Sequence, residues 1–211
     1  QQMVIDTQGW AAGLILAARA QRDSTGQGED AEAAKSRLRH DYASYFHEEV
    51  IEGLPQELRD FLIDTSILDE LTPDACAAII GKQTARKLLD EAFARGLFLI
   101  DVDREQGHYR HYKLFQAMVC SRLMKHAPDR AAVLHRRASE FYAETGDYHL
   151  ALEHAERSGD EEFLAAQFEV LAEPMIYAGL LQRLDDLASR LPWSVVEDKP
   201  AVLLAMSWRR S

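Results

Sequence analysis

The sequence is poor in cysteine. Cys76 and Cys120 are the only two in 211 residues, too few for a disulfide framework or a cysteine-based zinc site. Each stands in an apolar helical pattern (ACAAII, MVCSRL), so both read as reduced, buried thiols of a cytoplasmic protein. No apolar run approaches the ~18 residues that a membrane span needs, and no secretory leader opens the chain. Basic excess is also missing. Net charge is −11, with 35 acidic against 24 basic residues. The balance is 0 over residues 1–40, −5 over 41–128 and −6 over 129–211, so no segment hides a basic domain. Such a chain is repelled by nucleic acid and by anionic lipid.

Catalytic patterns are missing too. Gly81-Lys82-Gln83-Thr84 looks like the tail of a phosphate-binding loop, but Ala77 and Ala78 stand where the leading glycine should be. It reads instead as a helix stop followed by a helix cap. His47-Glu48-Glu49 has Ile51 where a zinc-protease helix has its second histidine. His149 and His154 splay on a helix, and His108, His111, His126 and His135 show no ligand spacing; solvated or interhelical polar contacts account for them. Adjacent carboxylates such as Glu161-Glu162 and Asp185-Asp186 face apart on helices. The reading is a chain that is not an enzyme and binds no metal.

What is present is helical periodicity, interrupted once. Residues 9–21 (GWAAGLILAARAQ) form an apolar helix capped by Asp6 or Thr7, with Trp10 on its inner face; residues 22–36 are a polar, glycine-containing linker. Tyr42 to Ile51 line a helix that ends at Gly53. Pro55 starts the next in its first turn, burying Leu58, Phe61 and Leu62. Thr72-Pro73-Asp74 opens a third helix that stops at Gly81. Thr84 opens a fourth, with Leu88, Leu89, Ala92 and Phe93 inward and Gly96 as its stop. Then the period changes. Leu97–Val102 is strand-like, Asp103–Gly107 is a polar turn, and His108–Tyr112 is a second strand before the helix of Leu114, Phe115, Met118, Val119 and Leu123. Three helices followed by a hairpin is the plan of a winged helix. Its candidate recognition helix offers Arg86, Lys87 and Arg95 but also Asp90 and Glu91, which opposes duplex binding.

From residue 129 the pattern is helix after helix. Asp129–Thr145 ends at Gly146-Asp147, Tyr148–Ser158 ends at Gly159-Asp160, and Glu161–Ala172, Pro174–Gly179, Leu180–Leu191 and Pro200–Arg209 follow. Helix pairs of this length suggest a tetratricopeptide-like array. The fold class is therefore mainly α: a winged-helix domain with a small β-hairpin, then a helical arm and superhelix. The pattern divides the chain into 1–36 (a helix plus linker), 37–128 (winged helix), 129–180 and 181–211 (successive helices). The abrupt first and last residues suggest a piece of a longer protein.

Several stretches resemble one family in order. TQGWAAGLILAA resembles the "T-E-G-W-x-x-G-L-x-L-A" helix of large ATP-dependent regulators of the LuxR type, the group of signal-transduction ATPases that includes the maltose-regulon activator. So does Glu48 to Gly81. Leu97-Phe98-Leu99, Tyr109-Arg110 and Leu114-Phe115 resemble its "LF-hydrophobic … Y-R-Y-H-x-L-F"; Leu134 to Asp160 resembles its arm; and LPW at 191–193, with Pro200 and Trp208, resembles the start of its sensor. The resemblance implies a nucleotide-binding domain that takes ATP or ADP, a C-terminal helix-turn-helix DNA reader, and an inducer, small molecule or protein, that binds the sensor. With ADP bound, the winged helix would fold onto the nucleotide domain; inducer and ATP would release it to oligomerise. Where the family has a histidine, this chain has Tyr112, with His111 just before it. Phosphate sensing would fall to Tyr112, His111 or Arg110, and Trp10 would help line the nucleotide pocket. The packing alternatives are that Trp10 anchors a core, and that Tyr109 and His111 point one way from the strand and Arg110 and Tyr112 the other, one pair lying under the wing. Two other functions fit the same residues: a helical-repeat adaptor that binds a protein, and a winged-helix DNA binder.

Overall fold

The computed structural model describes residues 51, 53–81, 84–188 and 190–208. Trp10 and its helix, the 22–36 linker, the helix expected from Tyr42 (apart from Ile51, which is buried), Lys82 and Gln83 lie outside the described residues. The chain divides into two compact units between Ala127 and Pro128.

In the first unit, α1 (Gln56–Asp64) buries Leu58, Phe61 and Leu62. Pro55 precedes its first turn as the N-cap, one residue earlier than its sequence suggests. A 3₁₀ turn (Thr65–Ile67) leads to α2 (Pro73–Ile80). Here the Thr72 side chain accepts from the Ala75 N–H, Pro73 occupies the first turn where no N–H is needed, and Gly81 ends the helix at φ 66°. Helix α3 (Ala85–Ala94) buries Leu88, Leu89 and Ala92. Thr84 sits at its cap position without a side-chain hydrogen bond, and Phe93 is only half-buried.

The hairpin follows: β1 (Leu99–Asp103) pairs antiparallel with β2 (His108–His111), Leu99 opposite His111 and Ile100 opposite Arg110. A bulge between Asp101 and Asp103 leaves Val102 exposed. β1 begins two residues later than the strand pattern predicts. The chain turns first through Gly96 at φ 68° and Phe98 at φ 57°, backbone that cannot join a ladder. Leu71 forms an isolated bridge to Tyr109 on the other side of β2, giving and receiving backbone hydrogen bonds of 2.7 and 3.0 Å. Helix α4 (Lys113–His126) closes the unit with Phe115, Val119 and Leu123 buried. Tyr109, Phe61 and Phe115 are the largest fully buried side chains here. Each contributes roughly 1.5–3 kcal/mol through burial alone. Cys76 is buried, and burial pushes its thiol well above the usual range; Cys120, expected to be buried, is only partly so because it lies on the flank of α4 beside Val119.

The second unit holds α5 (Pro128–Thr145), α6 (Tyr148–Arg157), α7 (Glu161–Tyr177), α8 (Leu181–Ala188), the short α9 (Trp193–Val196) and α10 (Pro200–Trp208). The two Gly-Asp pairs each act twice. Gly146 (φ 85°) and Gly159 (φ 71°) turn the chain out of one helix. Asp147 and Asp160 then cap the next, accepting from Leu150 at 3.2 Å and Phe163 at 2.9 Å. The break expected at Pro174 does not occur, and α7 runs through it. Proline removes the donor to the carbonyl of Val170, and Val170 is 70% exposed, so that turn lies on the solvent side of α7, where losing the bond costs least. One hydrophobic core joins Ala151 to Val202, and Glu169 of α7 accepts from the Ala201 N–H at the start of α10.

Candidate functional site

The resemblance puts nucleotide sensing on the second hairpin strand, and the strand divides its side chains as alternation requires. Tyr109 and His111 lie under the wing, 2% and 1% exposed, while Arg110 points to solvent and Tyr112 is half-buried at the entrance to α4. The packing expectation for the Tyr109/His111 pair therefore holds.

His111 sits in a closed pocket. Its ring lies 5.4 Å from that of Phe115, which in turn stacks on Phe98 at 4.3 Å and 13°. The Thr65 hydroxyl donates to the Phe61 carbonyl at 2.8 Å. That leaves its oxygen as acceptor for His111 Nε2 at 3.3 Å. The tautomer that follows carries its proton on Nε2, and Nδ1 keeps a lone pair with no partner among the described residues. Burial pushes the imidazole down to about 3, and hydrogen bonding at Thr65 offsets this only in part. The ring is therefore neutral wherever the pocket is closed. Tyr112 is tied by its backbone: its N–H donates to the Phe98 carbonyl at 2.9 Å and its carbonyl accepts from Gln116. The left-handed Phe98 is thus bracketed by the strand end and by the Phe115 stack. Such a conformation costs on the order of 1–3 kcal/mol and persists where surrounding packing over-determines it.

A second set of contacts fastens the wing to α3. Asp90 accepts from Arg86 Nε at 3.3 Å and lies 3.5 Å from the Tyr109 hydroxyl, and Arg86 also donates to the Gln106 carbonyl at 3.4 Å. The guanidinium lies over Gly107, whose φ of 74° and crowded Cα favour glycine. Arg104 lies 5.4 Å above the Phe93 ring, and Arg95 pairs with Glu91 at 2.7 Å. Arg86, Arg95 and Arg104 are thus engaged with carboxylates, a carbonyl and a ring of the same unit, while Lys87 and Arg110 are exposed. Among the described residues no group of three or more His, Cys, Asp or Glu could hold a metal ion, and no helix is long and apolar enough to cross a membrane.

Arg110, His111 and Tyr112 are consecutive but not convergent: one is in solvent, one in the core and one between. Trp10 lies outside the described residues. The sequence reading missed Thr65, the Leu71 bridge and the Asp90–Arg86–Tyr109 contacts, all of which join residues at least 19 apart except the helical Arg86–Asp90 pair.

With this geometry in view, the comparisons with known proteins are specific. Residues 47–131 match the MalT winged helix domain. The serine/threonine-protein kinase PknK of Mycobacterium tuberculosis is 31% identical over 99% of this chain, which covers 19% of PknK. The HTH-type transcriptional regulator MalT of Klebsiella pneumoniae is 26% identical over 96% of the chain, which covers 23% of it, and that of Vibrio campbellii is 25% identical over 95%, covering 22%. The chain thus spans about a fifth of the length of the curated relatives it matches. Residues 47–131 thus match a MalT winged helix domain, and nearly the whole chain is similar to a segment of the regulators MalT and PknK.

Proposed function

We propose that this chain is the regulatory middle segment of an ATP-dependent, LuxR-type regulator: its winged helix latches a nucleotide-binding domain in the ADP state, and its helical arm links that latch to an inducer-sensing superhelix. The domain division that goes with this reading is 37–128 for the winged helix, 129–180 for the arm and 181–211 for the start of a tetratricopeptide-like sensor, with 1–36 closing a preceding helical domain. ATP and ADP belong to the parent protein, which works in the cytoplasm, oligomerises when active and carries its DNA-reading helix-turn-helix elsewhere. This segment touches no DNA.

One observation carries the proposal. The same segment aligns nearly end to end with stretches of proteins named for different outputs, a transcriptional regulator and a protein kinase. A module retained beside different outputs is best read as the relay between signal and output. The acidic balance of the winged helix supports protein docking over DNA docking. The candidate nucleotide contacts remain Arg110, His111 and Tyr112, with Trp10. Arg110 is ready on the surface; His111 would reach a phosphate only if the Thr65 pocket opened.

The test is hydrogen exchange across residues 97–112 in the full-length parent, with ADP and then with ATP plus inducer. The latch requires stronger protection of the hairpin with ADP. Equal exchange in the two states would remove it.

A helical-repeat adaptor is the second reading, favoured by one feature. Ile176, Tyr177, Leu184 and Leu204 line an apolar cleft of about 330 Å³ in the second unit, with Tyr177 84% exposed and Leu204 50%. A protein surface of this kind is suited to an apolar partner.

A further inference from the structure

The latch leaves unused a buried polar contact in the second unit. His135 of α5 and His154 of α6 are 2% and 3% exposed, and their Nδ1 atoms lie 2.9 Å apart. Tyr142 stacks on His154 at 5.4 Å and 15°. Around the pair the helices meet through small side chains, with Ala131 and Ala138 buried on α5 and Ala151 and Ala155 buried on α6. We propose that His135 and His154 form an acid-sensitive clasp that holds α5 against α6 at neutral pH and weakens in acid.

The proton count makes the contact sensitive. At 2.9 Å one Nδ1 must carry a hydrogen and the other a lone pair, so in the neutral pair the two imidazoles are of opposite tautomer. A first added proton keeps the bond but places a cation in a buried site. A second leaves two N–H groups facing each other and breaks it. The surroundings give no relief. The charged group acting on both rings is Arg157 of α6, itself held by Glu153 at 2.6 Å. On α5, Arg136 is turned to Asp160 at the start of α7, at 3.2 Å. Neither imidazole has a carboxylate partner among the described residues. Burial is the first cause that lowers both, His135 to about 4 and His154 to about 3, with Arg157 adding to each and His135 adding to the shift on His154.

The sign follows from linkage. With the helices apart, both rings titrate near the ordinary value of ~6.5. Between there and the lowered values the open form binds more protons than the closed one. The pair's contribution to the closed form is therefore complete above about pH 6.5 and falls progressively as pH drops toward the lowered values.

The experiment uses the whole 211-residue chain. Native-state hydrogen exchange, corrected for the intrinsic pH dependence of the chemical rate, gives the opening constant for amides of α5 and α6. Uptake of two protons raises that constant by up to ~100-fold per pH unit between about 6 and 5. His154→Gln removes one titrating ring and lowers the slope to no more than ~tenfold. A slope unchanged by that substitution, or an opening constant flat with pH in the wild type, overturns the clasp. Should His154→Gln fail to fold, nitrogen-15 imidazole spectra of the wild type decide. The clasp requires one ring in the Nδ1–H tautomer and both neutral at pH 5.5, and two rings that titrate independently near 6.5 contradict it.

Discussion

In the second unit, Gly146-Asp147 and Gly159-Asp160 each close one helix and cap the next, and the buried histidines satisfy one another. In the first unit, the turn into β1 holds Phe98 at φ 57°, and His111 keeps a buried nitrogen without a partner among the described residues. The second follows the local rules of helical proteins in its turns and caps, although Ser139 Oγ and Asp185 Oδ1 are buried there without a hydrogen-bond partner among the described residues; the first departs from them in its backbone, around the hairpin. Sites where local preference is overridden by surrounding structure are where function is most often found. The departure lies on the strand whose outward face carries Arg110 and whose end is Tyr112. The difference supports assigning the latch to the first unit and the relay to the second.

The contrast can be broken in several ways, the largest first. Phe115 stacks on Phe98 and covers His111, so Phe115→Ala should destabilise the first unit by about 3–5 kcal/mol in urea unfolding. A loss below 1 kcal/mol would mean that the stack does not hold the hairpin corner. Next comes pH. His111 is lowered by burial to about 3, so its contribution is complete above about pH 6.5 and falls by up to ~1.4 kcal/mol per pH unit in more acid solution, whereas the His135–His154 pair in the second unit falls by up to about twice that. Exchange measured separately for the two units between pH 6.5 and 5 checks the ratio, and His111→Leu should flatten only the first.

Glycine replacements sharpen the same contrast. Gly146→Ala meets open space and should cost only the left-handed backbone, about 1–2 kcal/mol; Gly107→Ala meets the same backbone cost and also puts its Cβ 2.7 Å from Arg86, displacing the guanidinium from the wing. Thermal unfolding should rank Gly107→Ala as the more damaging. The smallest effect belongs to the caps. Asp147→Ala and Thr72→Ala should each cost about 1 kcal/mol, one in each unit. Equal effects would show that local capping operates alike in both, and that the contrast is confined to the hairpin corner.

Much of this was legible in the sequence because it is written locally. Thr72-Pro73, Gly81 and the two Gly-Asp pairs are start and stop signals whose chemistry acts within four residues. The alternation of Tyr109 to Tyr112 gives inward and outward faces without any tertiary knowledge. What escaped the reading depends on distant partners. Nothing local announces that Thr65 will meet His111 46 residues on, that His135 will find His154, or that Leu71 will join β2. The helix through Pro174 escaped because the cost of proline depends on whether the orphaned carbonyl faces water. Phe98 escaped because a left-handed phenylalanine contradicts its own preference, and its neighbours in space, the Phe115 ring and the Tyr112 N–H, hold it there.

The most direct test of the latch is ADP retention by the full-length parent protein, measured as the rate of nucleotide release before inducer is added. With Arg110 reversed to glutamate and, separately, Tyr112 replaced by histidine, the account predicts faster release for Arg110→Glu and slower release for Tyr112→His. Release rates unchanged by both substitutions would contradict it.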